Sequence, residues 1–185
     1  KKKEGKRKKT SLNSVKVLKI CTQINGELEQ RQKIFVLLRV VEYVNIGPEP
    51  TEQELEFVDT VSDVFNIPAE ELADIKRFVQ CSVDNIEDTS KILLVTSNPD
   101  VPGYTHVKHI ENETMNGTLT VISVESVGMY ALKYFGTEEL LLNGQIIDPE
   151  RVYILTQGSS IRSSKVNPIY YSDIISRYLT DKSES

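Results

Sequence analysis

The apolar residues between positions 11 and 83 recur at intervals of three and four, the spacing of one buried face of an α-helix. Short segments containing Gly or Pro divide this stretch into four runs. Thr51, with Glu54 three residues later, predicts a capping box at the start of the third run. We therefore predict a bundle of four short helices. The predicted buried positions are, run by run, Val17, Ile20, Cys21, Ile24 and Leu28; Ile34, Leu37, Leu38, Val41 and Val44; Leu55, Val58, Val61 and Phe65; and Leu72, Ile75, Phe78 and Val79.

After residue 91 the apolar residues recur at intervals of about two, which is typical of β-strands with one buried face. The dipeptide Asn143-Gly144 readily forms a two-residue hairpin, because both positions tolerate a positive φ. We therefore predict an α+β fold, in which a small all-α helical bundle is followed by a mostly antiparallel β-sandwich or small barrel. The strand-like segments are residues 92–97, 118–125, 128–135, 140–147, 151–155 and 159–164.

These patterns divide the chain into four segments. Residues 1–10 form a basic arm, residues 11–86 the helical bundle, and residues 90–172 a β-rich domain. Residues 173–185 return to helical spacing, and we expect them to form a terminal helix and a tail that leads to a downstream domain. The chain begins at Lys1 without an initiator Met, so we expect it to be a piece of a longer polypeptide.

Charge is distributed unevenly along the 185 residues. Positions 1–9 hold seven of the 22 basic and one of the 27 acidic residues, so the remaining 15 basic and 26 acidic residues give the rest a net charge of −11. The arm could touch nucleic acid or anionic lipid, but it has no aromatic residue to stack on bases, and we interpret it as a disordered linker. The acidic body would repel phosphates, so no nucleic-acid partner is expected.

Hydropathy and cysteine content indicate the compartment. No apolar run approaches the roughly 20 residues that span a bilayer, and no signal peptide is recognisable. Cys21 and Cys81 have no metal-ligand spacing, and each lies in an apolar, helix-phased stretch. We therefore predict two reduced core thiols and a cytoplasmic location.

The sequence contains few groups suited to catalysis or ligand binding. Neither of the glycine-rich phosphate-binding motifs, GxxxxGK[ST] and GxGxxG, occurs. His106 and His109 lie near Glu111 and Glu113, but residues three apart on an extended chain face opposite sides. We predict no catalytic residue, no cofactor and no metal site in this piece of chain.

The segment "QGSSIRSSK" is a polar cluster around a predicted glycine turn. Its hydroxyls, backbone amides and guanidinium could hold a phosphate group. Serines also suit an ordinary solvent-facing turn, so both interpretations stay open. The candidate contacts for an anion or a partner are Ser159, Ser160, Arg162, Ser163 and Lys165.

The stretch "EQRQKIFVLLRVVEYVNIGPEPTEQELEFVDTVSDVFNIPAEELADIKRFV", from about residue 30 to 79, resembles the tellurite-resistance TerB-like helical domain. The shared pattern is a helix, a short turn, a capped helix and an acidic entry, here "NIPAEEL", into a further helix. In that family an acidic residue of an "ADG" segment is implicated in metal binding. This chain has Val44-Asn45-Ile46-Gly47 instead, so the resemblance implies the fold without a metal site.

A broader resemblance covers most of the chain. "SLNSVKVLKICTQIN", the bundle, "LLLNGQIIDPERVYILTQGSSIR" and "PIYYSDIISRYL" follow in the order seen in the amino-terminal region of large ABC transporter ATP-binding proteins of Bacteroidetes type. The resemblance implies a non-catalytic regulatory or docking region with the ATPase domain downstream. It also implies that domain and a membrane permease as partners, and a position peripheral to the inner membrane.

The hairpin and the segment "VYILTQGSSI" also resemble the last strands of forkhead-associated domains, which read phosphothreonine. The Gly-Arg and Ser-x-x-His motifs of those domains do not occur upstream. The alternative function is therefore a free-standing binding module, either a phosphopeptide reader or a metal-binding TerB-like stress protein.

Overall fold

The computed structural model describes residues 14–183. The predicted basic arm, residues 1–10, lies outside the described residues. The described residues divide into two compact units, of which the first ends at Gln80 and the second begins at Cys81; the sequence predicts the end of the bundle at residue 86. The first unit is helical and the second is rich in strands, so the predicted α+β class is confirmed.

The described part of the first unit contains four helices, as predicted. Helix α2 packs against both α3 and α4, and its Ile34, Leu37 and Leu38 are at most 1% exposed. The predicted capping box is present at the start of α3, where the Thr51 hydroxyl accepts the Glu54 backbone N–H at 3.2 Å. The helices are α1 (residues 14–24), α2 (Gln30–Asn45), α3 (Glu52–Val64) and α4 (Ala69–Gln80).

Burial in the first unit is narrower than the apolar periodicity predicts. Val17 and Ile20 on α1 are 37% and 53% exposed, and Leu55 on α3 is 40% exposed. Cys21, from the same predicted face of α1, is buried. A helix at the edge of a small bundle buries only a narrow stripe, so part of an apolar face stays in contact with water.

The second unit contains two sheets, with the strand orders β2-β1-β3-β4-β7 and β6-β5-β8-β9. Strands β1 and β2 are parallel, and the other pairs are antiparallel, as predicted for most of the domain. The strands are β1 (Ile92–Thr96), β2 (Lys108–Glu111), β3 (Thr118–Val124), β4 (Met129–Phe135), β5 (Leu141–Leu142), β6 (Gln145–Ile146), β7 (Tyr153–Leu155), β8 (Ser160–Arg162) and β9 (Ile169–Tyr170).

Both sheets bury side chains in one core, which makes this unit a β-sandwich. Leu93 and Leu132 come from the first sheet and Ile161 from the second. Helix α5 (Tyr171–Ser183) adds Ile174 to the same core and packs against β2 and β9, an edge strand of each sheet. The helix therefore closes one side of the sandwich.

The predicted hairpin joins β5 and β6. Asn143 and Gly144 have φ angles of 52° and 82°, so both carry the positive φ of a type I′ turn. Leu141 pairs with Ile146 and Leu142 with Gln145, which fixes the register. No helix among residues 14–183 combines the length and the apolar content needed to cross a membrane.

Candidate functional site

The five candidate residues lie on and beside strand β8, and the backbone separates them. Side chains of successive strand residues point to opposite faces. Ile161 is 1% exposed in the core, while Ser160 and Arg162 lie on the other face. Ser159 precedes the strand, and Ser163 and Lys165 follow it. The five side chains therefore do not converge on one binding site.

Ser159 is a buried anchor of the Gly158 turn. Its side chain accepts the Thr156 backbone N–H at 3.1 Å and lies 3.0 Å from the Thr156 hydroxyl oxygen. It also accepts the Asn143 side-chain amide at 3.3 Å. With a residue exposure of 2%, its hydroxyl group stabilises the turn and is not available to a ligand.

Asn143 connects the β5–β6 hairpin to β8, a role that the sequence reasoning missed. Its backbone N–H donates to the Ser160 carbonyl oxygen at 3.0 Å, and its side-chain oxygen accepts the Ser160 N–H at 3.0 Å. The only sequence signal was its place in an Asn-Gly turn, which indicates the conformation of the residue and not its distant partner.

Arg162 and Lys165 are exposed cations that bond within the β unit. One Arg162 Nη atom donates to the Ser160 hydroxyl oxygen at 3.2 Å. Lys165 Nζ lies 3.4 Å from a carboxylate oxygen of Glu138. The Ser163 hydroxyl accepts the backbone N–H groups of Lys165 and Val166 at 3.1 and 3.0 Å. A carboxylate beside the second cation weakens this segment as an anion site.

A groove of about 480 Å³ lies between the Gly158 turn and the first turns of α5. Tyr170, Tyr171 and Ile175 form one part of its wall, and the remaining lining residues are Gln157, Gly158, Ser159, Ser172 and Ser176. Tyr170 is 45% exposed. The buried contacts of Ser159 thus shape one side of an aromatic groove.

A second cleft, of about 420 Å³, has an acidic lining that includes Glu111, Glu113 and Asp173. Asp173 accepts the Tyr170 backbone N–H at 3.0 Å, which places it at the start of α5. Within residues 14–183, no three His, Cys, Asp or Glu side chains are grouped so that they could hold a metal ion.

The two histidines have separate surroundings. His109 Nε2 lies 2.8 Å from the Thr96 hydroxyl oxygen, and burial lowers the pKa of the His109 ring. The His109 backbone carbonyl accepts Arg177 Nε at 3.2 Å, which occupies part of the outer edge of β2. The backbone N–H of His106 bonds instead to Asp88.

Asp88 forms hydrogen bonds to the backbone of residues 105–107, which precede β2. Its carboxylate accepts the backbone N–H groups of Thr105, His106 and Val107 at 2.9, 2.7 and 3.1 Å. These hydrogen bonds, led by that of Thr105, lower the pKa of Asp88 because they stabilise the ionised form. No local sequence pattern indicates this contact, which joins residues 17 to 19 positions apart.

Neither Cys21 nor Cys81 forms a disulfide bond. Cys21 is buried and Cys81 is partly exposed, and burial raises the pKa of each. The positive charge of the buried Lys133 partly offsets the rise in the pKa of Cys81. The Lys133 ammonium group also donates to the Cys81 carbonyl oxygen at 2.9 Å. A raised pKa keeps a thiol protonated at neutral pH, which does not suit a nucleophile.

Asn45, in the segment that the TerB-like resemblance sets against an acidic motif, lies at the end of α2. The Asn45 side chain donates to the Val41 carbonyl oxygen at 2.7 Å and accepts from Gln80 at 3.2 Å. Its amide group therefore links the ends of α2 and α4.

Comparison with known proteins gives little further guidance. No protein-family model and no curated protein matches the chain, so neither supports the TerB-like or the ABC transporter resemblance. Among solved structures, the NMR structure of the FHA1 domain of yeast Rad53 is similar to part of it, at 19% identity. The match covers 51% of this chain and 58% of that chain, less than two thirds of its length, with a TM-score of 0.28. A likeness this low carries no functional argument.

Proposed function

We propose that this chain is a non-catalytic docking or regulatory region of an ABC transporter ATP-binding protein, whose ATPase domain lies downstream in the same polypeptide. The proposal takes the protein class from the order of sequence segments described above. Its structural support comes from the candidate polar residues. Ser159, Ser163 and Lys165 all form hydrogen bonds or ion pairs within the β unit, as residues with a structural role do. These three side chains therefore stabilise the surface of the β unit through contacts within it.

The proposed partners follow from that class. The downstream ATPase domain is the first partner, and a membrane permease that the ATPase drives is the second. Through the full-length polypeptide the region would lie at the cytoplasmic side of the inner membrane. The in-line attack on the γ-phosphate would be carried out by the downstream domain.

The alternative of phosphopeptide reading has weaker structural support. A phosphate at Arg162 would replace the Ser160 hydroxyl, and the other cation of the segment, Lys165, lies beside Glu138. One exposed guanidinium is a weak anchor, so we expect phosphopeptide Kd values no tighter than about 1 mM. The alternative of a TerB-like metal protein has Val44-Asn45-Ile46-Gly47 in place of the acidic segment of that family.

The proposal is tested by comparing three proteins: the full-length polypeptide, the same polypeptide without residues 1–185, and residues 1–185 alone. We expect Mg-ATP to bind the first two in calorimetry, and the rate of ATP hydrolysis to differ between them. Residues 1–185 alone should not bind Mg-ATP, because their sequence contains neither glycine-rich phosphate-binding motif.

Two results would contradict the proposal. One is a full-length polypeptide that does not hydrolyse ATP. The other is a low-micromolar phosphothreonine peptide that binds residues 1–185 and is lost in Arg162→Ala, which would favour the phosphopeptide reader instead.

A further inference from the structure

Helix α1 exposes lysine and aliphatic side chains together. Lys16 and Lys19 are exposed, and Val15, Val17 and Ile20 are 61%, 37% and 53% exposed. Residues three or four positions apart are neighbours on a helix surface. Lys16 is therefore beside both Lys19 and Ile20. Val15 extends this surface from Lys19, and Val17 extends it from Ile20, so the five residues form one continuous patch, called here the α1 surface.

The helical bundle does not bury the aliphatic part of this surface. Cys21, on the other side of α1, is 2% exposed, and Leu18 and Ile24 are partly buried. Single exposed aliphatic residues are common on proteins, but here three occur within six positions. The Thr22 hydroxyl, one turn further along, donates to the Leu18 carbonyl oxygen at 2.9 Å, so it does not depend on water for a partner. The α1 surface therefore suits a partner that offers apolar groups.

The sequence that contains α1 is positively charged, although the chain as a whole is acidic. Residues 1–26 hold nine basic residues and one acidic residue, Glu4, which gives them a net charge of +8. The remaining 13 basic and 26 acidic residues give residues 27–185 a net charge of −13. Helix α3 of the same unit contains five acidic residues and no basic one. The first 26 residues are therefore the part of the chain that attracts an anionic partner.

A lipid surface fits this combination better than a nucleic acid does. The first aromatic residue of the chain is Phe35, so residues 1–34 have no ring to stack on bases. A membrane with anionic lipids presents negative headgroups and, just beneath them, the boundary of the acyl chains. Lysine keeps its charge at the headgroups while its stem lies against apolar groups. With residues 14–24, α1 is about 16 Å long, which is too short to cross a bilayer and suits a helix lying in its interface.

We propose that the α1 surface, together with the basic residues at positions 1–9, binds the surface of a membrane that contains anionic lipids. The lysines interact with the headgroups, and the three aliphatic residues enter the boundary between headgroups and acyl chains. Salt screens the first contribution, whereas the second comes from removing apolar groups from water. The proposal does not depend on a downstream ATPase domain, because it uses the first 24 residues alone.

The first test is sedimentation of residues 1–185 with lipid vesicles at about 0.15 M salt. Vesicles of phosphatidylcholine and phosphatidylserine at about 3:1, called here mixed vesicles, should bind at least ~100-fold more tightly than phosphatidylcholine alone. Lys16→Gln combined with Lys19→Gln should weaken this binding about 25-fold, since each cation near an anionic surface contributes a factor of about 5. Arg162→Gln removes an exposed cation of the β unit and is the matched control, which should bind unchanged. Equal binding to the two kinds of vesicle would overturn the proposal.

A fluorescent residue tests whether the α1 surface enters the membrane. The chain contains no tryptophan, so Ile20→Trp introduces a single indole group. On mixed vesicles we expect its emission to shift to shorter wavelength, and lipids brominated on their acyl chains to quench it at least ~2-fold. Ile46→Trp is the matched control, because Ile46 is 56% exposed at the end of α2, and it should not be quenched. Both positions are exposed, so circular dichroism should show unchanged helix content. An unquenched Ile20→Trp protein would overturn the proposal.

Removal of residues 1–9 distinguishes the membrane from other partners. It should weaken binding to mixed vesicles by at least ~100-fold, because seven cations are lost. Tighter vesicle binding after the removal would show that these residues bind the acidic part of the chain instead. Tighter binding of residues 1–185 to duplex DNA than to mixed vesicles would identify a nucleic acid as the partner. Either of these two results would overturn the proposal.

Discussion

Two turns of the β unit contain the same dipeptide, Asn-Gly, but need its glycine for different reasons. At Gly117 the place of a Cβ is occupied by the carbonyl oxygen of Phe135, and φ is 92°. At Gly144 the place of a Cβ is open, with no atom within 4 Å apart from Gly144 itself and its two chain neighbours, and φ is 82°. The first turn needs glycine for space as well as conformation, and the second needs it for conformation alone.

The asparagines of the two turns also differ, in the group that forms the hydrogen bond and in its partner. The Asn116 carbonyl oxygen accepts the hydroxyl of Tyr134, a side chain with 0% exposure, at 2.9 Å. Asn143 uses its own side chain to hold the exposed hairpin to Ser160. A local motif therefore sets the backbone shape, while the neighbours brought by the fold determine how much each residue contributes to stability.

Gly117→Ala should have the largest effect. The new methyl group meets a backbone oxygen that cannot move without opening the β3–β4 pair, and the positive φ adds strain. We expect a loss of more than about 3 kcal/mol in the free energy of unfolding, measured by urea denaturation. A loss below about 1 kcal/mol would mean that the close approach to Phe135 is absent.

Tyr134→Phe removes the hydroxyl that supports the first turn and leaves the ring in place. We expect a loss of about 1 to 2 kcal/mol, because the Asn116 carbonyl loses a buried donor. Tyr153→Phe is the matched control, since the Tyr153 hydroxyl accepts the Asp148 N–H at 2.7 Å in a partly exposed position. Equal losses in the two variants would contradict the buried role of Tyr134.

Gly144→Ala repeats the first substitution where there is space for the methyl group. Only the strain of a positive φ remains, so the expected loss is about 1 kcal/mol in the same denaturation experiment. Gly144→Asn should cost less, because asparagine tolerates this conformation. A loss as large as that of Gly117→Ala would remove the distinction between the two turns.

Asn143→Gly should have the smallest effect of these variants. Glycine keeps the positive φ, so the change removes only the side-chain hydrogen bonds, in which Asn143 accepts the Ser160 N–H and donates to the Ser159 hydroxyl. We expect a loss of about 0.5 to 1 kcal/mol and faster amide exchange at Ser160. Unchanged exchange at Ser160 would show that the hairpin is held by its backbone alone.

The sequence predicted the elements whose signals are local. The helices follow from apolar spacing, and the β5–β6 hairpin follows from Asn143-Gly144. Strand β2 was missed because its sequence, "KHIE", offers one apolar residue and no alternation. Its pairing with β1 and the cover provided by α5 are long-range contacts, which no window of the sequence contains.

The candidate site was harder to predict than the fold. Five polar residues close in sequence suggested a cluster, but Ile161 points into the core between Ser160 and Arg162, and the turns before and after β8 use their own serines. Glu138, which pairs with Lys165, lies 27 positions away. Partners at such distances depend on the register of the strands, and polar composition does not reveal that register.

The attachment made by Asp88 gives the β unit a local sensitivity to acid. Because the folded protein lowers the pKa of this carboxyl group, its contribution to stability is complete above the unfolded value of about 3.9 and disappears as the pH falls through the lower, folded value. Protonation would release the backbone of residues 105–107 first, beside the edge strand β2. The protection of these three amides, taken relative to the intrinsic exchange rate at each pH, should therefore fall on acidification before the protection of amides in the central strands β1 and β3 falls.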